Sequence, residues 1–105
     1  MKQGFFEQHW NDGGRPTGGT SSGRGFTISW QNGPLGRGDA RTEPNGAFVE
    51  DIIAAAIGRI EFYQTSGFSC AENAEALDYL RRAAFALDKR TKDREARQVE
   101  GTHAR

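Results

Sequence analysis

Three arginines near the end of the chain have the residue type and spacing best suited to a chemical task. Arg90, Arg94 and Arg97 recur at intervals of four and three, so on a helix they share one face. Guanidinium groups pair with phosphate oxygens and stack on flat bases, which suits an anion or nucleotide site. The alternative is a solvated helix face with ion pairs to neighbouring carboxylates, and composition alone favours this alternative.

Residues for catalysis or metal binding form no comparable pattern. The sequence shows no nucleophile next to a base, no paired carboxylates and no cluster of metal ligands. Cys70 is the single cysteine, and His9 and His103 are the two histidines, so neither an internal disulfide nor a zinc site is expected. We expect Cys70 to be a small buried residue. The pattern predicts a binding protein rather than an enzyme, with no cofactor.

The charge balance argues against duplex nucleic acid as a partner. Fourteen basic residues face fourteen acidic ones, whereas a duplex binder gains its affinity by neutralising phosphates. A local basic site remains open, because charges can cluster while their sum is zero. No apolar stretch is long enough for a signal peptide or a membrane span. We therefore expect a protein without a membrane partner that stays in the compartment where it is made.

Most of the 14 glycines lie in the first half of the chain. The run GGRPTGGTSSGRG has the composition of a segment that cannot offset its ordering entropy, which predicts a flexible arm over residues 1–23. After it, Phe26, Ile28 and Trp30 alternate with hydroxyl residues and predict one strand with these three side chains on one face. Its partner strand can come from the arm, from the following loop or from another chain.

The second half of the chain has helical periodicity. Apolar residues recur at three and four from Ala47 to Tyr63, and leucines recur in the same way on a second segment that ends near Arg97. Ser69 and Glu72 have the spacing of a capping box at the start of the second helix. Because the connection is short, the two helices are expected to form an antiparallel hairpin.

These elements predict an α+β fold, with short strands followed by a C-terminal helical hairpin. We predict a single small domain over residues 24–105. It comprises a strand region over 24–46, the hairpin over 47–97 and a tail over 98–105. The hairpin carries more apolar surface than two helices can cover, which predicts a homo-oligomer.

Two motifs in the hairpin resemble a known family. The runs YQTSGFSCAENAEAL and ALDKRTKDREARQVEGT are similar to the ends of the helical hairpin in the small phage sponges that counter Thoeris defence. That family holds glyco-cyclic ADP-ribose signals, and in some members cyclic oligonucleotides, without cleaving them. The resemblance implies an immune-evasion protein that inhibits Thoeris or CBASS-type defence in the cytoplasm of an infected bacterium.

The resemblance also implies which residues bind the ligand. Tyr63 takes the place of the aromatic residue that stacks on adenine. Asn73 matches a ligand-binding asparagine, and Arg90 matches the arginine that packs on the other face of the base. The family has a further arginine before the first helix, for which Arg37 and Arg41 are the two candidates here.

Helix length decides how such a site can be assembled. On a straight helix Arg90 lies about 25 Å from Asn73, at roughly 1.5 Å per residue. One protomer therefore cannot bring both residues to one small ligand, whereas a second, antiparallel copy could supply the arginine. This predicts a homodimer with two equal pockets, or an assembly of dimers such as a hexamer. Arg94 and one loop arginine would then contact the pyrophosphate. The alternative is a structural or interaction module without a small-molecule ligand.

Overall fold

A computed structural model describes residues 4–97, so the predicted tail over 98–105 lies outside the described residues. The elements, in chain order, are strands β1 (Phe6–Asp12), β2 (Arg15–Gly23) and β3 (Phe26–Trp30), a 3-10 turn (Gly38–Ala40), and helices α1 (Val49–Thr65) and α2 (Ala71–Ala96). The predicted α+β class is confirmed. Two compact units divide the chain: a sheet unit of residues 4–48 with 95–97, and a hairpin unit, Val49–Arg94.

The sheet is an antiparallel meander in the order β1-β2-β3. Two residues, Gly13 and Gly14, connect β1 to β2, and both have positive φ angles, 60° and 85°. This is the backbone that the tightest hairpin turns require, because its twist matches that of the strands. β3 has the bounds that the sequence predicted, and its pairing strand is β2.

The prediction of a flexible arm is wrong for residues 6–23, which form β1 and β2. Glycine is not only a source of disorder here, because some of these glycines occupy positions that other residues cannot. Gly19 has a φ of 143°, and a Cβ atom there would collide with the backbone carbonyl oxygen of Gln8 on β1. Glycine in β2 therefore permits the close approach of β1, and the predicted arm supplies β2, the strand that pairs with β3.

A chain of two hydrogen bonds crosses all three strands. The indole Nε1 of Trp30 on β3 donates to the Oγ of Ser21 on β2 at 2.8 Å. The same hydroxyl donates to Glu7 Oε2 on β1, also at 2.8 Å. Ser21 is only 2% exposed, so a register shift would leave this hydroxyl buried without its partners. The three side chains thus fix the alignment of the sheet.

The long loop after β3 is ordered by its own polar contacts. Asn45 binds back across the loop: its backbone N–H donates to Gln31 Oε1 at 2.9 Å, and its Oδ1 accepts from the backbone of Asn32 at 2.8 Å. Ala47 then forms a parallel bridge with Trp30. Because its two ends lie close together, this segment is a compact loop and not an extended linker.

The predicted helical hairpin is confirmed, and α2 ends one residue before the predicted Arg97. A salt bridge of 2.8 Å joins Arg81 on α2 to Glu61 on α1. At the turn, the Gln64 side chain accepts from the backbone N–H of Cys70 at 3.0 Å and donates to its carbonyl oxygen at 3.2 Å. This amide holds the start of α2 against the end of α1.

Cys70 differs from its prediction in two ways. It is exposed and not buried, because it lies at the junction between the turn and α2. It also caps the helix: its Sγ accepts from the backbone N–H of Asn73 at 3.4 Å, and its carbonyl oxygen accepts from Ala74. The N-cap is therefore Cys70 and not the predicted Ser69, and the second half of a capping box is not formed, because the Cys70 N–H donates to Gln64 and the Asn73 side chain donates to Phe68.

The hairpin unit buries little of its apolar surface. Leu77 is the one buried hydrophobic side chain among residues 4–97. Large apolar side chains of this unit that remain exposed are Val49, Phe62, Phe68, Tyr79 and Phe85. This agrees with the excess of apolar surface inferred from the sequence.

Candidate functional site

The turn between the helices brings two of the predicted site residues together. Tyr63 lies two residues before the end of α1, and Asn73 lies in the first turn of α2. Both contact Phe68 in the connecting turn. The Tyr63 and Phe68 rings meet edge to face with centres 6.4 Å apart, and Asn73 Nδ2 donates to the Phe68 carbonyl oxygen at 3.1 Å. The half-buried Tyr63 ring and the Asn73 amide are therefore both tied to the same residue of the turn.

An arginine that sequence reasoning did not single out covers this ring. The guanidinium carbon of Arg59 lies 5.0 Å from the centre of the Tyr63 ring and 5.2 Å from that of Phe62. Its Nε also donates to the Tyr63 hydroxyl at 3.2 Å. The spacing of four residues on α1 was the available signal, because side chains at i and i+4 meet on a helix.

Together these residues form what we call the corner cluster: Arg59, Phe62, Tyr63, Phe68 and Asn73. It combines flat apolar rings, a positive charge and an amide. Those groups suit a flat, electron-rich ring that carries polar edges, such as a nucleobase. The Asn73 amide keeps a second N–H and an acceptor oxygen as hydrogen-bonding capacity beyond its bond to Phe68.

Arg90 and Arg94 lie far from the corner cluster along α2. The helix runs without interruption from Ala71 to Ala96, so Arg90 is about 25 Å along the axis from Asn73. Arg90 is exposed and Arg94 is half-buried, one turn further on. The structure therefore brings the two arginines to one face of α2 but does not bring them to the corner cluster of the same chain.

Arg37 and Arg41 belong to the sheet unit, where they flank the 3-10 turn. The turn is closed by backbone hydrogen bonds from Ala40 N to the Arg37 carbonyl oxygen, 3.0 Å, and from Arg41 N to that of Gly38, 3.2 Å. The two candidate loop arginines thus stand at the two ends of one short segment. Among residues 4–97, no three His, Cys, Asp or Glu side chains gather as they would around a metal ion.

The helical pair with its corner residues is also what known proteins share with this chain. Residues 24–92 match the family model of the Acb2/Tad1 hairpin domain. The chain belongs to the Acb2/Tad1 hairpin family. The predicted family resemblance is thereby confirmed.

One relative of this Acb2/Tad1 hairpin protein is "Thoeris anti-defense 1" of Bacillus phage SBSphiJ7. The two are 44% identical over 82 residues, which make up 78% of this chain and 55% of the phage protein. The chain thus spans about half the length of that relative.

The Acb2/Tad1 match covers most, though not all, of the predicted site. It includes Arg37, Arg41, Tyr63, Asn73 and Arg90 and ends two residues before Arg94. β1 and β2 precede the matched range. The family match therefore rests on the hairpin and the segment leading into it.

Proposed function

We propose that this chain counters Thoeris-type antiviral defence by binding and sequestering a cyclic nucleotide signal without cleaving it. Glyco-cyclic ADP-ribose is the first candidate ligand, and cyclic oligonucleotides, with CBASS-type defence as the target, are the second. The observation that carries the proposal is the corner cluster, where the Tyr63 ring and the Asn73 amide both contact Phe68. The Acb2/Tad1 family and the identity to "Thoeris anti-defense 1" supply its biological setting.

The proposed pocket is shared between two copies of the chain. An adenine ring would stack on Tyr63, worth roughly 1–3 kcal/mol for a base on an aromatic ring. Arg59 would leave the stacking face or remain on the opposite one, and Asn73 would bind a polar edge of the base or a ribose hydroxyl. Since Arg90 of the same chain is too distant, Arg90 of the partner subunit would cover the other face of the base.

The phosphates of the signal would lie near the remaining arginines. Arg94 of the partner subunit and either Arg37 or Arg41 would donate charge-assisted hydrogen bonds to the pyrophosphate. The corner cluster has no carboxylate or histidine to act as a general base, which supports capture rather than hydrolysis. A protein of this kind removes signal one molecule per site, so its Kd must lie below the concentration that activates the receptor.

The proposed place of action is the cytoplasm of the infected bacterium, where such signals are made. Over residues 4–97, neither helix combines the length and apolarity needed to cross a membrane.

Recovery of the ligand tests the proposal directly. The protein is incubated with glyco-cyclic ADP-ribose, separated from free ligand and heat-denatured, and the released material is identified by chromatography and mass spectrometry. We expect unchanged cyclic ligand from the wild type and from Tyr63→Phe, which keeps the ring. Tyr63→Ala should capture about tenfold to a hundredfold less, as the loss of one stacking contact implies. A linear product would show that the protein is an enzyme.

A module that binds only other proteins is the competing function, favoured by the exposed rings of Tyr79 and Phe85. Thermal shift against a panel of nucleotides separates the two, because a ligand that binds only the folded state raises Tm. A Tm that stays constant across glyco-cyclic ADP-ribose isomers and cyclic di- and trinucleotides would favour the interaction module.

A further inference from the structure

β1 forms an edge of the sheet. One side of it pairs with β2, and no other strand lies beside it among residues 4–97. All seven of its residues are exposed. At the other edge, β3 is joined by Ala47 at its Trp30 end. An open edge presents backbone N–H and C=O groups to any strand of suitable register.

When two copies of β1 run antiparallel, their side chains are complementary to each other. We propose that two copies of the chain pair antiparallel along β1, with Gln8 opposite Gln8 of the partner subunit. In this register Phe6 faces the partner's Trp10, and Glu7 faces the partner's His9. Residues directly opposite in a sheet share a face, so the aromatic pairs lie on one face and the carboxylate–imidazole pairs on the other.

Exposure and contacts on the two faces favour this pairing. Phe6 is 73% exposed and Trp10 is 50% exposed, so a cross-strand aromatic contact would cover two large rings. On the other face, Glu7 and His9 already meet within one strand, with Oε2 and Nε2 3.5 Å apart. A carboxylate has a second oxygen and several acceptor positions, so Glu7 can keep Ser21 and also accept from an imidazole across the axis.

Neighbouring registers lack this complementarity. Sliding one copy by two residues puts Glu7 opposite Glu7 of the partner subunit, or His9 opposite the partner's His9. Two carboxylates directly opposite are destabilising in a sheet, and two opposed imidazoles lack the carboxylate that the register centred on Gln8 places opposite each of them. A slip by one residue moves side chains to the wrong face and mismatches the hydrogen-bonding groups. The centre at Gln8 is therefore the register that satisfies both faces.

The strand is also regular over the segment that would pair. The β1–β2 register is regular from Phe6 to Trp10, the segment used in the proposed pairing, and it shifts only beyond that segment, where Thr17 of β2 is the extra residue of a bulge. Because both copies use the same edge, this contact by itself joins two copies on a twofold axis. All of these residues precede the family match at residue 24, so the inference does not rest on the proposed nucleotide site.

Thiol cross-linking of the full chain tests the contact and its register. In a Cys70→Ser background, Gln8→Cys places two thiols opposite each other across the axis, within disulfide reach. We expect about tenfold more oxidised dimer than from Ser29→Cys, an exposed site two strands away, because paired thiols have a high effective concentration. Equal yields from the two variants would overturn the proposal.

The register is tested by two further single-cysteine chains in the same background. Phe6→Cys and Trp10→Cys should each cross-link poorly alone, since equivalent positions lie about 13 Å apart along the strands. Mixed, they should form a disulfide between the two different chains. Efficient self-cross-linking of Phe6→Cys, or no gain on mixing, would contradict the proposed register. Should cysteine disturb folding, Gln8→Glu and Gln8→Lys offer a second test: each should pair weakly alone, and native mass spectrometry should show a mixed pair. A mixture with no excess of that pair would also overturn the proposal.

Discussion

The sheet unit fixes its strands through close fits within one chain, whereas the hairpin unit buries one large apolar side chain, Leu77, and leaves five exposed. In the sheet unit, Ser21 is buried between Trp30 and Glu7, and Gly19 lets β1 approach β2. In the hairpin unit, Leu77 is buried while Phe68 is 74% exposed and Phe85 is 67% exposed. The difference teaches that order within one chain and coverage of apolar surface are separate properties: contacts within the chain set the register of the sheet, and the exposed rings of the hairpin are the surface that the proposed second copy would cover.

The largest effect is expected from Gly19→Ala, which disrupts the close fit between β1 and β2. A Cβ atom at this φ collides with the Gln8 carbonyl oxygen, so unfolding free energy should fall by about 3 kcal/mol. Hydrogen exchange should show lost protection in β1 and β2 and unchanged protection in α1 and α2.

Gly58→Ala is the matched control. Gly58 lies inside α1 with open space around its Cβ position, so alanine should stabilise the helix by up to about 1 kcal/mol. Equal destabilisation by both substitutions would mean that glycine in β2 has no special role.

A smaller effect is expected from Phe85→Asp, which tests the hairpin side. In a single chain this exposed position tolerates a charge, but in a covered interface an unpaired carboxylate is costly. We expect self-association to weaken by about 2 kcal/mol, or roughly thirtyfold in Kd, measured by sedimentation. Thr27→Asp adds the same charge at an exposed position of β3 and should leave the Kd of self-association unchanged. A wild-type chain that sediments as a monomer at high concentration would remove the basis for a shared hairpin.

The smallest effect is expected from Ser21→Ala, which tests how much the hydrogen bonds across the three strands stabilise the sheet. It removes the hydroxyl that joins Trp30 to Glu7 and should cost about 1 kcal/mol in urea unfolding. Ser22→Ala, the adjacent residue on the opposite face, should change stability by less than about 0.5 kcal/mol. Equal costs would show that the hydrogen-bond chain does not stabilise the sheet.

The spacing of apolar residues predicted those strands and helices that are marked by a regular pattern of apolar side chains. The alternation of Phe26, Ile28 and Trp30 placed β3, and the helical spacing placed α1 and α2. β1 and β2 were missed because their signal lies in backbone chemistry: two consecutive glycines between Asp12 and Arg15 are a hairpin turn, yet glycine-rich composition argued for disorder.

The candidate site was predictable only in part, for a similar reason. The short connection between the helices made Tyr63 and Asn73 neighbours, and both contact Phe68. Arg59 was missed, since its role depends on where its guanidinium lies relative to two rings. The proposed contributions of Arg90 and Arg94 would need a second chain, which the sequence suggests only through the length of α2. Their ligand roles, with those of Arg37 and Arg41, stay predictions.

Mixing two inactive variants tests the shared pocket most directly. Tyr63→Ala and Arg90→Ala should each capture little glyco-cyclic ADP-ribose alone. After denaturation and refolding together, half of the dimers should be mixed, and each mixed dimer should have one pocket with both native residues. We predict capture of about a quarter of the wild-type amount, as the twofold symmetry requires. No recovery on mixing, with mixed dimers confirmed by native mass spectrometry, would contradict a pocket built from two chains.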